Sequence, residues 1–553
     1  ETLVMDWLVN ENRSHGLKET AKDHLGIQML SFKEVFGLKP KEGPGDAIRR
    51  TMADPVGRLK AIEYAGLDAY ASVAVHNFLM QRLNEQEVRP GYSLWGYFND
   101  WEVPFTPLLF NLERRGFTIM TGHLRAQMGP MEVAMQDLET RIAQMAGWVV
   151  NLNSPKQLQK LFFEQLKVKP IKWTSGGTSG VKQPSTDDEV LSEWILIKDP
   201  VAAPFATLIQ EFRGISKIYG TYIEGLLGWV DNDLRIHTTL NQHGTVTGRL
   251  SSSDPNLQNI PRPKTDRYKI RDAFVAAPGK TLIVADYDQL EMKIMAHFSG
   301  DERMIEAIKS GKDLHCFTVA MMFGEEYDEV YAAKKAKDAH KPLTERQEYL
   351  VIKRDEGKAT GFGLIYGIGE VKLGGQLKLP VVVVPNRRGG TRKTCPDAQK
   401  LIHAYLNDVY PGVGRFMKQT HAECREVEAV QTLLGRFRRL HGINISRSDV
   451  DNRGLAAEAE RQSVNTRIQG TAADIAKAAM LRVESDEELN AIGAQMLLQI
   501  HDELILEVDD KPEIIQRAKK RLKDIMEDPF QGFQLQVPLT VGVGHGYSWT
   551  EAK

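Results

Sequence analysis

Cysteine is scarce: Cys316, Cys395 and Cys424 are the whole complement of a 553-residue chain. They are odd in number, scattered and without C-x-x-C spacing, which argues against a disulfide framework and a zinc site and suits a reducing compartment. Long apolar runs are also missing. The run at 381–384 falls far short of the roughly 20 residues that a membrane helix needs, so no membrane partner is expected and the chain is read as soluble and cytoplasmic. Nor does one sign of charge prevail. Lys and Arg number 71 against 73 Asp and Glu, so any attraction to a polyanion has to come from local basic tracks. Glu1 is neither an initiator Met nor the start of a charged-then-apolar leader, which reads as a piece of a longer chain rather than a secreted precursor. What the chain does have is size and 42% hydrophobic residues, enough for about three or four domains with sizeable cores.

The stretch TLIVADYDQLEMKIMAHFSG at 281–300 contains the most pointed pattern. Leu282, Ile283, Val284 and Ala285 read as a buried strand that ends on Asp286, and Leu290, Ile294 and Phe298 then recur at helical spacing. A carboxylate leaving a buried strand needs a cation, a hydrogen-bond cage or water. By itself it could equally cap the next helix.

Other segments offer partners. In RDEGKATGFGLIYG, Arg354, Lys358, Phe362 and Tyr366 fall four apart and form one slowly winding helical stripe, two cations followed by two aromatics. Gly357, Gly361 and Gly363 each cost about 0.8 to 1 kcal/mol against Ala in a helix, which implies a close approach to the backbone or a bend. A triphosphate under the cations with a base on an aromatic fits the stripe; an amphipathic core helix is the alternative. MLLQIHDELILEV reads as two strands around the polar turn His501, Asp502, Glu503, where adjacent carboxylates repel unless a cation is near.

The chain opens with helical segments in which Tyr64 and Asp68 share a face, and a break near 89–93 marks a boundary. The loop at 174–185 is rich in Gly, Ser and Thr. Arg213 and Lys217, four apart, suit phosphates or a solvated face. The segment 236–260, dense in Thr, Ser, Asn and Gln around Arg249, suits sugar and phosphate edges, or is a long polar loop. His315 lies early on a helix. Lys334, Lys335 and Lys337 read as a solvated helix face. The segment 379–393 reads as a hairpin insertion with a basic tip at Arg387, Arg388, Arg392 and Lys393, and the cluster Arg436, Arg438, Arg439 as a surface patch open to phosphates. On the long helix after Leu455, Arg461, Asn465 and Gln469 repeat the four-residue stripe with hydrogen-bonding groups that suit minor-groove edges.

Taken together, DYDQLEMK, RDEGKATGFGLIYG, QIHDE and TGRLSSSDPNLQNIP resemble motif A, motif B, motif C and a further conserved segment of the family A DNA polymerases, the class of bacterial DNA polymerase I and its phage relatives. The likeness extends from residue 1 to the closing VGHGYSW. It implies an α+β multidomain right hand: a partial 3′-to-5′ exonuclease-like domain at 1–98, a thumb at 99–230, a palm at 231–298 and 448–553, and fingers at 299–447. The implied activity is template-directed DNA synthesis in replication or repair, by in-line attack of a primer 3′-hydroxyl on an α-phosphorus with two Mg²⁺ ions, Mn²⁺ being a substitute. Asp286, Asp502 and the Tyr287 carbonyl are then the metal ligands, with Glu503 an auxiliary acid. Arg354, Lys358 and His315 hold the triphosphate, Lys358 also serving as proton donor. Phe362, Gln289, Tyr366 and Glu291 surround the nucleotide, the last two closing the space for a ribose 2′-hydroxyl.

Arg249, Arg461, Asn465, Gln469, Gln499 and His501 track the primer-template, with Arg213 and Lys217 on its backbone. The implied partners are primer-template DNA and deoxynucleoside triphosphates, the chain acting as a monomer; no processivity partner is readable. Asp288 replaces the family's usual Ser and Lys293 its Arg, and the insertions near 328–348 and 381–393 have no assigned role. Tyr64 and Asp68 match the last exonuclease motif, while the other acids that nuclease needs would precede Glu1, so no proofreading is expected. A single-subunit RNA polymerase is the nearest rival, opposed by Glu291 and GRLSS; a noncatalytic DNA-binding subunit is the other, opposed by the acid pair.

Overall fold

Alternation along one strand sets the centre of the fold. In strand β1 (Lys280–Tyr287), Leu282 and Val284 enter one core, while Ile283, Ala285 and Tyr287 enter another. That is the two-residue period of a sheet covered on both faces. The computed structural model describes residues 1–39, 42–174, 180–261, 266–339, 341–385, 390–446 and 452–553. Its central sheet adds β2 (Gln495–Ile500), β3 (Glu503–Asp509) and β4 (Val541–Gly546) in the spatial order β2-β3-β1-β4, with every neighbour antiparallel. The strand at 282–285 therefore runs on through Asp286, which is still paired across the sheet instead of lying beyond its end.

At the N-terminus, helix α1 (Thr2–Val9) packs on α2 (Pro55–Glu85) through Val4, Met5, Trp7 and Leu8 against Val75, Leu79 and Leu83. The long helices α3 (Thr121–Ala146) and α4 (Ala202–Ile218) contribute to the core that Leu282 and Val284 enter. On the other face the helix Pro512–Glu527 packs on β1, β3 and β4, and the core it closes is shared by α5 (Leu290–Ser299), α6 (Leu314–Phe323), α8 (Glu345–Ile365) and the 33-residue α9 (Arg453–Ser485), while α7 (Tyr327–Asp338) packs with α6 and α8 in a smaller cluster. Helix α8 is unbroken despite its glycines: a Cβ at Gly357 would meet Val319 at 2.8 Å, and one at Gly363 would meet Ile368 at 2.4 Å. Neighbouring side chains, not a bend, account for the small residues there. Two antiparallel strands, Val382–Pro385 and Thr391–Thr394, form the expected hairpin insertion; Arg387 and Arg388 at its tip lie outside the described residues. The ends of the Gly- and Ser-rich loop are tied by Thr174 donating to Gln183 at 2.8 Å, the residues 175–179 also lying outside.

Candidate active site

Two backbone devices bring the acids together. Strands β2 and β3 join through the two-residue turn His501–Asp502, where His501 takes a left-handed conformation (φ 53°), as tight hairpins require. The Tyr287 N–H then donates to the Asp502 carbonyl at 3.2 Å, holding the turn against the end of β1. Asp286 lies directly across from Glu503 and keeps 41% of its side chain exposed. Glu503 departs from the expectation of an open acid at a hairpin tip. It is the first residue of β3, only 4% exposed, and accepts from Trp549 Nε1 at 2.5 Å and from the Lys553 ammonium. Lys553 Nζ also lies 3.0 Å from Asp286 Oδ2.

One cleft of about 900 Å³ is lined by Asp286, Tyr287, Gln289, Glu291, His501, Asp502 and Glu503 from the sheet side and by His315, Arg354, Lys358, Phe362 and Tyr366 from the helices. The four-residue stripe on α8 thus faces the acids. Asp313, the N-cap of α6, accepts from the Cys316 N–H at 2.9 Å and pairs with Arg354 at 3.2 Å and Lys334 at 3.3 Å. Burial pushes its carboxyl up, but the Cys316 bond and the Arg354 charge prevail and hold it well below the usual range. Burial, reinforced by the Arg354 charge, lowers the His315 imidazole to about 4, so it is neutral near pH 7. Its ring lies 5.4 Å from that of Phe362, and Lys358 Nζ lies 5.9 Å from the same ring. Glu291, in the first turn of α5, accepts from Arg249 Nη2 at 2.6 Å and from the Tyr366 hydroxyl at 2.9 Å.

The remaining candidates divide. Arg249, Gln499, His501 and Asp502 share a small crevice beside the cleft, and Gln258 Nε2 donates to Gln499 Oε1 at 3.1 Å. Arg461 is exposed and lines an adjoining cavity of about 730 Å³ with Lys358, Phe362 and Tyr366. Gln469 is buried and bonds to the Tyr366 hydroxyl, while Asn465 Oδ1 is buried with no partner among the described residues. Arg213 and Lys217 line a separate cavity of about 560 Å³, where Arg213 is bonded to Asp188 and to the Thr186 carbonyl, both at 3.0 Å. Tyr64 packs edge-on to Phe36 and accepts from Lys18 at 3.2 Å; one turn on, Asp68 Oδ1 is buried with no partner among the described residues.

Three readings change. The cluster at 436–439 is not a surface patch: Arg436 is 2% exposed, and Arg438 and Arg439 each bond Glu11 at 3.0 Å. Asp288 is accounted for as a structural partner, because it accepts from the Thr540 hydroxyl at 3.2 Å and its charge favours the ammonium of Lys293, which burial pulls down to about 8. The two departures from the family pattern therefore go together. Lys334, read as solvated, lines the cleft, as do Arg271, Asp313, Thr550 and Lys553, which sequence reasoning passed over. Asp313 carried a signal, an N-cap residue two before His315 and a counter-charge for the α8 cations; nothing in the other letters sets them apart.

Comparison with known proteins decides the lineage, since the model of the family described as DNA polymerase family A matches residues 121–551. The chain belongs to that family. DNA polymerase I of Pseudomonas aeruginosa is 33% identical over 100% of this chain and 54% of its own length, and the thermostable DNA polymerase I of Thermus thermophilus is 34% identical over 96% and 58%. The chain spans about half the length of such curated relatives. The POL domain of Pol1 from M. smegmatis, solved in complex with DNA primer-template and dNTP, superposes with a TM-score of 0.77 at 30% identity, covering 100% of this chain and 82% of that one. The fold is thus the family's right hand.

The donor set at the acid end fits hard divalent ions. No three His, Cys, Asp or Glu side chains converge as a closed metal cage among the described residues. Mg²⁺ sites are typically open, using one or two carboxylates and completed by substrate phosphates and water. The Lys553 ammonium at 3.0 Å shows that the Asp286 carboxylate receives a cation in this position.

Proposed function

We propose that this chain is a template-directed DNA polymerase that adds deoxynucleotides to a primer 3′-hydroxyl. The observation that carries the reading is the shared cleft: two acids at one wall, and the cation-aromatic stripe of α8 at the other. Asp286, Asp502 and the Tyr287 carbonyl would hold two Mg²⁺ ions, or Mn²⁺ in their place, which when bound acidify the primer hydroxyl and neutralise charge on the departing pyrophosphate.

The protein's own groups supply the rest. Arg354 and Lys358, joined by Lys334, bind the triphosphate; neutral His315 donates one hydrogen bond to it, and Lys358 passes a proton to the pyrophosphate. Phe362 stacks on the incoming nucleotide, with Gln289 beside it. Glu291, fixed by Arg249 and Tyr366, fills the space of a 2′-hydroxyl and so selects deoxyribose. Arg249, Arg461, Asn465, Gln469, Gln499 and His501 line the path of the primer-template, and Arg213 and Lys217 lie along its backbone. In this reading 99–230 is the thumb, 231–298 with 448–553 the palm, 299–447 the fingers and 1–98 an exonuclease-like remnant, the whole acting as a monomer in the cytoplasm.

Primer extension tests it. Asp286→Ala or Asp502→Ala is expected to lower single-nucleotide incorporation about a thousandfold or more, with DNA affinity little altered. Normal extension by either variant would sink the assignment.

A further inference from the structure

Glu503 is almost fully buried, and both its oxygens are taken: Trp549 Nε1 donates to Oε1 at 2.5 Å and the Lys553 ammonium to Oε2. A buried carboxylate beside one neutral donor calls for one compensating cation, and Lys553 supplies it. The same ammonium lies 3.0 Å from Asp286 Oδ2, a carboxylate 41% exposed to the cleft. Lys553 itself is 39% exposed, so a path to solvent is open to it.

We propose that Lys553 is a resident competitor for the divalent ion at Asp286, anchored by Glu503 and displaced when the ion enters. The inference rests on the metal-binding reading of Asp286 and Asp502 and assigns Glu503 a positioning role rather than ligation. A divalent ion and an ammonium cannot share one carboxylate oxygen at contact distance without strong repulsion. Entry of the ion therefore requires the side chain to swing away, and affinity in the absence of nucleotide is held down. A bound nucleotide, bringing its own phosphate oxygens to the ion, offsets that competition.

The test is Mn²⁺ binding to the chain free of DNA and nucleotide, read from the electron paramagnetic resonance of unbound Mn²⁺. Lys553→Gln and the closer isostere Lys553→Met are expected to lower the Mn²⁺ Kd about five- to tenfold, whereas Lys553→Arg, which keeps the charge, leaves it within about twofold. Thermal melts of the three variants verify that each is folded. If Asp286→Asn loses Mn²⁺ while Gln and Met at 553 leave the Kd unchanged, the competitor role is overturned and the metal reading stands. If Asp286→Asn binds Mn²⁺ like the unsubstituted chain, the metal reading itself falls and the competitor role with it.

Discussion

Two groups of charges a short way apart in this molecule are built on opposite lines. Where the segment 1–102 meets α9 and the strand Phe437–Arg439, the carboxylate of Glu102 is fully buried and takes Lys477 at 2.8 and 2.9 Å and the Tyr97 hydroxyl at 3.1 Å. Glu11, 2% exposed, is closed off by Arg438 and Arg439 in the same way. In the cleft the charges stay partly wet: Asp286 is 41% exposed, Lys334 and Arg249 each 28%. There a single carboxylate, Asp313, is shared by two cations. A dry carboxylate matched by its own cations has little to offer a ligand, whereas a surplus of cations around one acid leaves positive charge for a polyphosphate.

The largest expected effect is at the junction. Lys477→Ala strands the Glu102 carboxylate in a dry site, and breaking such a pair costs about 3 to 5 kcal/mol of stability, measurable as a drop in denaturation midpoint. Lys477→Met combined with Glu102→Leu removes both charges and should recover most of that loss. If the single change is as mild as a surface substitution, the contrast between the two regions is wrong. In the cleft, Glu291→Ala should act on selection more than on folding. The acid is held by Arg249 and Tyr366 in the place proposed for a 2′-hydroxyl, so the preference for deoxy- over ribonucleotides should fall on the order of a hundredfold, about 2.7 kcal/mol. The ratio of kcat/KM values for the two sugars reads it directly, and an unchanged ratio removes the gate.

The cleft was the more legible of the two in the sequence, for a physical reason. A continuous apolar run ending on Asp286, a four-residue stripe on α8 and a polar turn between two strands are local patterns, and the fold brings all three to one cleft. The junction is invisible at that range. Arg438 finds Glu11 427 residues away, so RFRR looks like a surface patch until the fold closes over it. Glu503 misled for a related reason: next to Asp502 it reads as part of the turn, but strand pairing with Asp286 places it in β3 and turns it toward Trp549. Lys334 and Lys553 differ in no local way from other surface lysines, and only packing brings them to the acids.

The smallest effect joins the two regions, because one cleft residue is as dry as the junction yet forms no ion pair among the described residues. His315 is 4% exposed, and burial beside Arg354 brings its folded pKa to about 4 against an ordinary 6.5. A folded pKa below the unfolded one means that the unfolded chain binds the proton first. This contribution to stability is therefore intact above pH 6.5 and is lost as pH falls toward 4, amounting to about 2 kcal/mol by pH 5. His315→Gln should flatten that part of the stability profile, and the imidazole signals of the labelled chain should titrate near 4. Adding a deoxynucleoside triphosphate should raise that pKa, since phosphate charge offsets the Arg354 field. If the ring instead titrates near 6.5 and ignores the nucleotide, it is solvated and outside the triphosphate site, and the cleft's cations are then arranged around Asp313 alone.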